Sequence, residues 1–451
     1  MINWKQKNIK NYSLEELFSL CHRYKGISLF SSGLDQDEKN RELSGINPVI
    51  VLTEGELKYG DNIRAIDSPL DELDKLVELI SHLSEDLGLL GYLSYDFKDR
   101  LEEPGLFDPK RQGIYEDFYF VLFEKYILSH RGADSCKEYT LSFDFPYSSL
   151  GNTVILPSEN SESSSDLEER SARIKGTSHN RKGFSRNVRK TISHIEAGDI
   201  YQANITRKVE GTTSYDAVEL ALKLASSNRI EYGVFAHIPG GHVISTSPEL
   251  FFKTQGKEIL TSPIKGTTPR GNNPREDEKQ RNGLLHSEKN LAELAMITDL
   301  MRNDLSRICN YGSVQVSPFP QLMELENVYH LYSDIRGRLS HNITTGDILK
   351  AIFPGGSITG CPKIRSCQII ERLEGEPRGI YTGSFGIIKP KGNSLFNIMI
   401  RTLFLQGNHF FYNVGGGITL LSDEEEEFEE TRHKGENICR ALDTEERDDS
   451  L

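Results

Sequence analysis

The 451-residue chain has few cysteines, no long apolar run and no excess of positive charge. Its six cysteines, Cys21, Cys136, Cys309, Cys361, Cys367 and Cys439, are scattered, with no C-x-x-C pair. That argues against a disulfide framework and against cysteine-based structural zinc, and it fits reduced thiols in a cytoplasmic protein. No stretch approaches the ~18 apolar residues of a membrane span, so no membrane contact is expected. Residues Met1 to Lys10 are polar and carry no apolar signal core. Lys and Arg number 53 against 67 Asp and Glu, a net charge of -14. A nucleic-acid partner would want basic faces, so none is expected. A small anionic ligand stays compatible, because a local cluster of Arg, Lys and backbone N–H groups overrides the global sign. Hydrophobic residues make up 37% of the chain, which suits a packed core and not wholesale disorder.

The stretch Leu156 to Lys182 is rich in Ser and Glu and reads as a linker or exposed excursion. It divides the chain near residue 160 into an N-terminal region, 1–160, and a catalytic region, 161–451. Ser68 to Leu87 has helical spacing, and Phe118 to Leu128 reads as a strand. Beyond the linker, helices are expected at Ser185–Ala197, Tyr215–Ala225, Lys289–Ile308 and Glu424–Leu442. Strands are expected at Ile200–Glu210, Gly233–Ile238, His242–Thr246, Ile380–Ile388, Leu395–Leu405 and His409–Val414. Hairpins mixed with long helices point to an α+β fold with extended antiparallel sheet, not a doubly wound parallel one.

Four constellations could carry chemistry. Ser422 and Glu425 form a capping-box signature, after which Glu427, Glu430 and Lys434 share one helix side. The preceding Gly415-Gly416-Gly417 lets backbone approach a ligand closely. The bland alternative is an acidic first turn with a solvated Glu430–Lys434 pair. Glu293 lies in an apolar helix and needs a cation, either a metal shared with the C-terminal carboxylates or an arginine such as Arg302. Phe353 to Lys363 is a glycine-rich turn entering a helix at Pro362, which suits an anion or is a structural turn. Lys265 precedes a glycine in Ser262-Pro-Ile-Lys-Gly-Thr267, downstream of Glu249. It is either a solvated surface lysine or a desolvated nucleophile with Glu249 as general acid. His330 is the last candidate.

These segments together resemble the chorismate-utilising enzymes, which include anthranilate synthase component I, aminodeoxychorismate synthase component I, and isochorismate and salicylate synthases. The resemblance rests on Gly198-Asp-Ile-Tyr-Gln-Ala-Asn204, Ser247-Pro-Glu-Leu-Phe251, Pro263-Ile-Lys-Gly-Thr267 and Asp299 to Leu305. It continues through Pro354 to Lys363, Asn397-Ile-Met-Ile-Arg-Thr402 and Val414-Gly-Gly-Gly-Ile418. It implies two large antiparallel sheets in a sandwich flanked by helices. It also implies Mg2+ held by Glu293 and Glu430 with Glu427 close by, gripping the ring carboxylate of chorismate. Thr359, Lys363, Tyr381, Arg401, Lys434 and the backbone of Gly415, Gly416 and Gly417 would bind substrate, with His330 beside the ring.

Lys265 resembles the aminodeoxychorismate synthases, because anthranilate synthases usually carry Ala there. That implies amination of chorismate at C4 through a covalent lysine intermediate, with ammonia from a separate glutaminase. No Gly-x-Cys-x-Gly elbow supplies a glutaminase within this chain. Gln202 stands where isochorismate and salicylate synthases carry a water-activating lysine, and an amide cannot act as that base. Anthranilate synthase component I and a non-catalytic chorismate-binding subunit are the competing readings. Three positions depart from the family pattern. Asn290 replaces an acidic residue three positions before Glu293, Tyr329 replaces a common Gln, and Glu231-Tyr232-Gly233 replaces a stretch that binds tryptophan in some relatives.

Overall fold

The computed structural model describes the chain except residues 1, 32–40, 61, 104, 108–114, 131–132, 144–169, 228–229, 325–327 and 447–451. Two long antiparallel strands, Arg41–Thr53 and Phe118–His130, form its spine. The second is a near-continuous apolar run, the first is apolar mainly over residues 49–52, and both are buried over almost their whole length.

From that spine two arms of antiparallel strands fold away. One runs through Leu89–Leu93, Ser384–Ile388, Ser394–Asn397, Leu250–Gln255, Glu258–Ser262 and Ile335–Arg338. The other runs through Ile27–Phe30, Tyr232–Ile238, Gly241–Ser247, Thr402–Gln406, His409–Ile418 and Gln202–Thr213. The arms face one another across a shared core, with Phe252, Phe385 and Phe396 from the first meeting Val234, Val243 and Phe404 from the second. The outer face of the second arm, through Phe235, Ile244, Leu403 and Leu405, packs under the helices Leu14–Arg23, Ala217–Ser227 and Glu424–Ala441. The α+β sandwich is therefore present, and its layers are joined through the spine into one hydrogen-bonded network of 21 strands among the described residues. A separate three-stranded sheet holds Ile264–Pro269, Val328–Tyr332 and Gln321–Glu324.

Strands on both sides of residue 160 pair with each other: Ile27–Phe30 with Tyr232–Ile238, and Leu89–Leu93 with Ser384–Ile388. Of the expected linker, residues 156–169 lie outside the described residues. The rest is ordered: Ala172–Thr177 is a strand on Gln202–Thr213, and Asn180 caps the helix Arg181–Glu196. An edge strand needs one half-buried face, which Ala172 and Ile174 supply against the outer core. That is too little apolar signal to stand out in a polar stretch. The expected single strand Leu395–Leu405 is two strands, Ser394–Asn397 and Thr402–Gln406. The break falls at Arg401, whose φ of 51° leaves the extended region. Each half pairs with a different arm.

Candidate active site

The helix Glu288–Ser306 starts at Ser287, whose hydroxyl accepts from the Asn290 N–H. Leu294, Ile297, Met301 and Leu305 bury one side of it, and Glu293 sits on that side at 8% exposure. The helix Glu424–Ala441 is capped by Asp423, which accepts from the N–H groups of Glu425 and Glu426. The expected capping box on Ser422 is not formed. A carboxylate at the positive helix end outcompetes a hydroxyl there. Ser422 instead donates to Glu427 Oε1 at 2.7 Å.

The strand His409–Ile418 brings its glycines between these helices. A methyl group on Gly416 would meet Glu427 Oε2 at 3.0 Å and Glu430 Oε1 at 3.6 Å. A methyl group on Gly417 would meet Glu293 Oε2 and Lys265 Nζ, each at 3.6 Å. Three carboxylates and one amine thus converge over bare backbone. Gly415 is glycine for a different reason: its Cβ would lie 2.5 Å from the carbonyl oxygen of Ile205 on the paired strand.

Three lysines face the three carboxylates, yet one buried carboxylate oxygen is left without a hydrogen bond. Glu427 is 2% exposed; Lys289 pairs with its Oε1 at 3.0 Å, while its Oε2 has no hydrogen-bond partner. Burial raises the Glu293 carboxyl, Glu427 and Glu430 add to the rise, and Lys265 and Lys289 oppose it. Burial would raise Glu430 too, but the Lys434 ammonium at 2.6 Å, with Lys289 and Lys265, holds it below the usual range. The Glu430–Lys434 pair is half-exposed and marks the mouth of the site, and Lys434 also donates to the Gly415 carbonyl at 2.8 Å. Arg302 does not neutralise Glu293. It pairs with Asp299 at 3.1 Å, both side chains exposed. Hard oxygen donors on two helices, with a buried oxygen unpartnered, fit a Mg2+ ion.

Lys265 lies on the small sheet and donates to the Ser357 carbonyl at 3.1 Å. Glu249 is 5% exposed; burial raises its carboxyl, against the pull of Ser357 and Lys265. His330 is buried on the strand beside Lys265, with Nδ1 2.7 Å from the Thr267 hydroxyl. Burial and the nearby Arg401 guanidinium push its imidazole down to about 4. Gln202 is buried with its side-chain carbonyl oxygen unpartnered. Thr359 donates to the Gly355 carbonyl at 2.9 Å, and its own carbonyl accepts from the Asn204 N–H at 2.7 Å.

One expected residue is engaged elsewhere. Lys363 opens the helix Lys363–Glu374 after an N-cap at Pro362, and it binds Asp304 at 2.6 Å and the Ile352 carbonyl at 2.9 Å. Tyr381 is buried beside the Arg378–Glu374 pair. That pair ties site segments together: Arg378 donates to the carbonyls of Ile358 and Asn204 at 2.9 and 2.6 Å, and Glu374 accepts from the Thr206 N–H at 2.8 Å.

Residues 33–440 match the sequence profile of a family described as chorismate binding enzyme. The chain belongs to this family. Aminodeoxychorismate synthase component 1 of Bacillus subtilis is 32% identical over 436 residues, 93% of this chain and 90% of that protein. The protein of the same name from Escherichia coli K12 is 34% identical over 397 residues, 83% of each chain. The crystal structure of anthranilate synthase component I from Streptococcus pneumoniae superposes with a TM-score of 0.75 at 25% identity, covering 90% of this chain and 94% of that one. The chain is thus a chorismate-utilising enzyme, whose relatives carry two different amination names. Among the described residues no helix is long and apolar enough to cross a membrane.

The sequence reading missed Lys289, Ser357 and Asp304. Lys289 was legible, because it stands four residues before Glu293 on one helix face. Ser357 acts toward Lys265 through its backbone carbonyl, which no side-chain pattern marks. Asp304 is visible as Lys363's partner once the fold is known.

Proposed function

We propose that this chain is the aminating component of an aminodeoxychorismate synthase. It would convert chorismate and ammonia into 4-amino-4-deoxychorismate and water, with ammonia drawn from a separate glutaminase subunit. The observation that carries this reading is the Lys265 amine facing the Glu293 carboxylate across the bare backbone of Gly417.

Glu293, Glu430 and Glu427 would hold Mg2+. When bound, the ion supplies positive charge that offsets these glutamates and anchors the ring carboxylate of chorismate. Arg401 and Lys434 offer further cations, and neutral His330 flanks the ring. Lys363, engaged with Asp304 and the Ile352 carbonyl, positions the glycine-rich turn, and Tyr381 lies buried near the Arg378–Glu374 pair.

In the reaction, the neutral Lys265 amine attacks C2 of chorismate. The ring double bonds shift, the C4–O bond breaks, and Glu249 donates the proton with which the hydroxyl leaves as water. The proton lost from the lysine nitrogen returns to Glu249. Ammonia then adds at C4, the double bonds shift back, and the C2–N bond breaks. One proton passes from the incoming nitrogen to the departing Lys265 amine, and atoms and charge balance. Burial of Glu249 favours its protonated form, as a general acid requires. Gln202 offers an acceptor and not a base, which disfavours water as the nucleophile. Six free thiols suit a reducing compartment such as the cytoplasm.

Mass analysis of the products from chorismate, ammonium and Mg2+ tests the reading. Lys265→Ala should abolish 4-amino-4-deoxychorismate formation, and unchanged turnover would refute the covalent route. Fluorescent anthranilate with released pyruvate from the wild-type chain would instead favour the anthranilate synthase reading.

A further inference from the structure

We infer that His22, His237 and His242 form a second metal site, built for a nitrogen-preferring divalent ion such as Zn2+ and separate from the carboxylate cluster. One donor nitrogen from each of the three lies within 4.8 Å of the other two. His237 and His242 stand directly opposite each other on the hairpin of Tyr232–Ile238 and Gly241–Ser247. His22 comes from the last turn of the helix Leu14–Arg23, which packs over that hairpin.

One edge of the nitrogen triangle is close to that of a ligand set, and in the metal-free chain that edge is a hydrogen bond between two imidazoles. His22 Nδ1 lies 3.0 Å from His242 Nε2. Two nitrogens bound tetrahedrally at 2.0–2.1 Å from zinc stand roughly 3.3 Å apart, so this edge needs to open by a few tenths of an ångström. His237 donates Nδ1–H to the His22 carbonyl at 2.6 Å. That bond fixes its tautomer and leaves Nε2 as the free lone pair, the arrangement in which metal-binding imidazoles are usually held. Lys25 is the cation acting on His237 from nearby. An imidazole set without carboxylate or thiolate selects Zn2+, Ni2+, Co2+ or Cu2+ over Mg2+.

The site would clamp the helix onto the hairpin and leave a fourth position for water, because His22 is exposed. The strand carrying His242 leads on to Glu249, seven residues or about 23 Å further along extended chain. The three histidines therefore lie well apart along the chain from the Glu249 end of the active site.

The test uses the full chain, stripped with a chelator and titrated with Co2+ in excess Mg2+. One equivalent of Co2+ should bind with a visible absorption of tetrahedral type, and Glu293→Gln should leave it intact. His22→Gln, at an exposed position that does not threaten the fold, should weaken binding at least tenfold, and His242→Gln further. Zn2+ should raise the melting temperature of the wild type and not that of His22→Gln. The proposal is overturned if the histidine variants keep the wild-type Co2+ spectrum, or if binding needs millimolar metal.

Discussion

Consecutive alanine substitutions along Gly415-Gly416-Gly417 should have opposite consequences. At Gly415 the new methyl would stand 2.5 Å from the Ile205 carbonyl oxygen and 2.6 Å from Thr206 Cγ2. Favourable contact lies near 3.5–4.0 Å, so the paired strand must move by about 1 Å. Overpacking of this kind costs about 1–3 kcal/mol, against 0.4–1 kcal/mol regained from the stiffer unfolded chain. At Gly417 the same methyl finds nothing closer than 3.6 Å, and what it meets is Glu293 Oε2 and Lys265 Nζ. The protein accommodates it, so stability should hold or rise slightly. The space it fills is the space between the Lys265 amine and the Glu293 carboxylate. If a substrate group belongs there, about 1–3 kcal/mol of transition-state binding is lost, roughly 5- to 150-fold in kcat/KM. Gly416→Ala, at 3.0 Å from Glu427 Oε2, should show a milder form of both effects. Urea unfolding and steady-state kinetics on the three variants separate the two effects. A Gly417→Ala enzyme with wild-type kcat/KM would refute the placement of the ligand between Lys265 and Glu293. A Gly415→Ala protein as stable as wild type would refute the packing argument.

Two ion pairs should differ sharply on truncation. Arg378→Ala strands buried Glu374 and two carbonyls and should cost about 3–5 kcal/mol by urea unfolding, whereas Arg302→Ala removes an exposed pair worth about 0–1 kcal/mol. Lys363→Ala should cost about 3 kcal/mol by leaving Asp304 buried alone, and Lys363→Ala/Asp304→Ala should recover part of that loss. His330 titrates at about 4 in the folded chain against 6.5 when free. Between those pH values the unfolded chain binds a proton that the folded chain excludes, so its contribution is fully present above pH 6.5 and is lost as pH falls toward 4. Wild type should lose about 3 kcal/mol relative to His330→Gln across that window, from ~1.4 kcal/mol per unit. Parallel stability–pH curves for the two proteins would sink this assignment.

What was legible in the sequence was what periodicity or a local motif encodes. The apolar helix around Glu293, the hairpin at Pro239-Gly240-Gly241 and the strand Phe118–His130 each carry their own pattern, and each is found close to its expected bounds. What was not legible depends on competition between neighbours. Ser422 and Asp423 both suit an N-cap, and the carboxylate takes it, which frees the serine to hold Glu427. The run Leu395–Leu405 reads as one strand because its residues favour extension, and nothing local announces that Arg401 will turn at φ 51°. That turn is decided by the tertiary fold: the two halves are claimed by different arms of the sandwich, and the crossover leaves Arg401 acting on His330.

The same logic bears on Asn290, where the family resemblance implies an acidic residue. Gly266, next to Lys265, adopts φ +78°, and a Cβ there would lie 2.9 Å from Asn290 Cγ. Asn290 donates to the Ser287 hydroxyl at 3.0 Å, within the first turn of the helix that carries Glu293. A carboxylate here would add a fourth negative charge to a cluster in which Glu293 is already raised by burial and by its neighbours. A neutral amide keeps the packing against Gly266 while leaving Lys265, Lys289 and Lys434 to balance Glu293, Glu427 and Glu430. The charge balance around Lys265 is by itself a physical reason for a neutral side chain at this position.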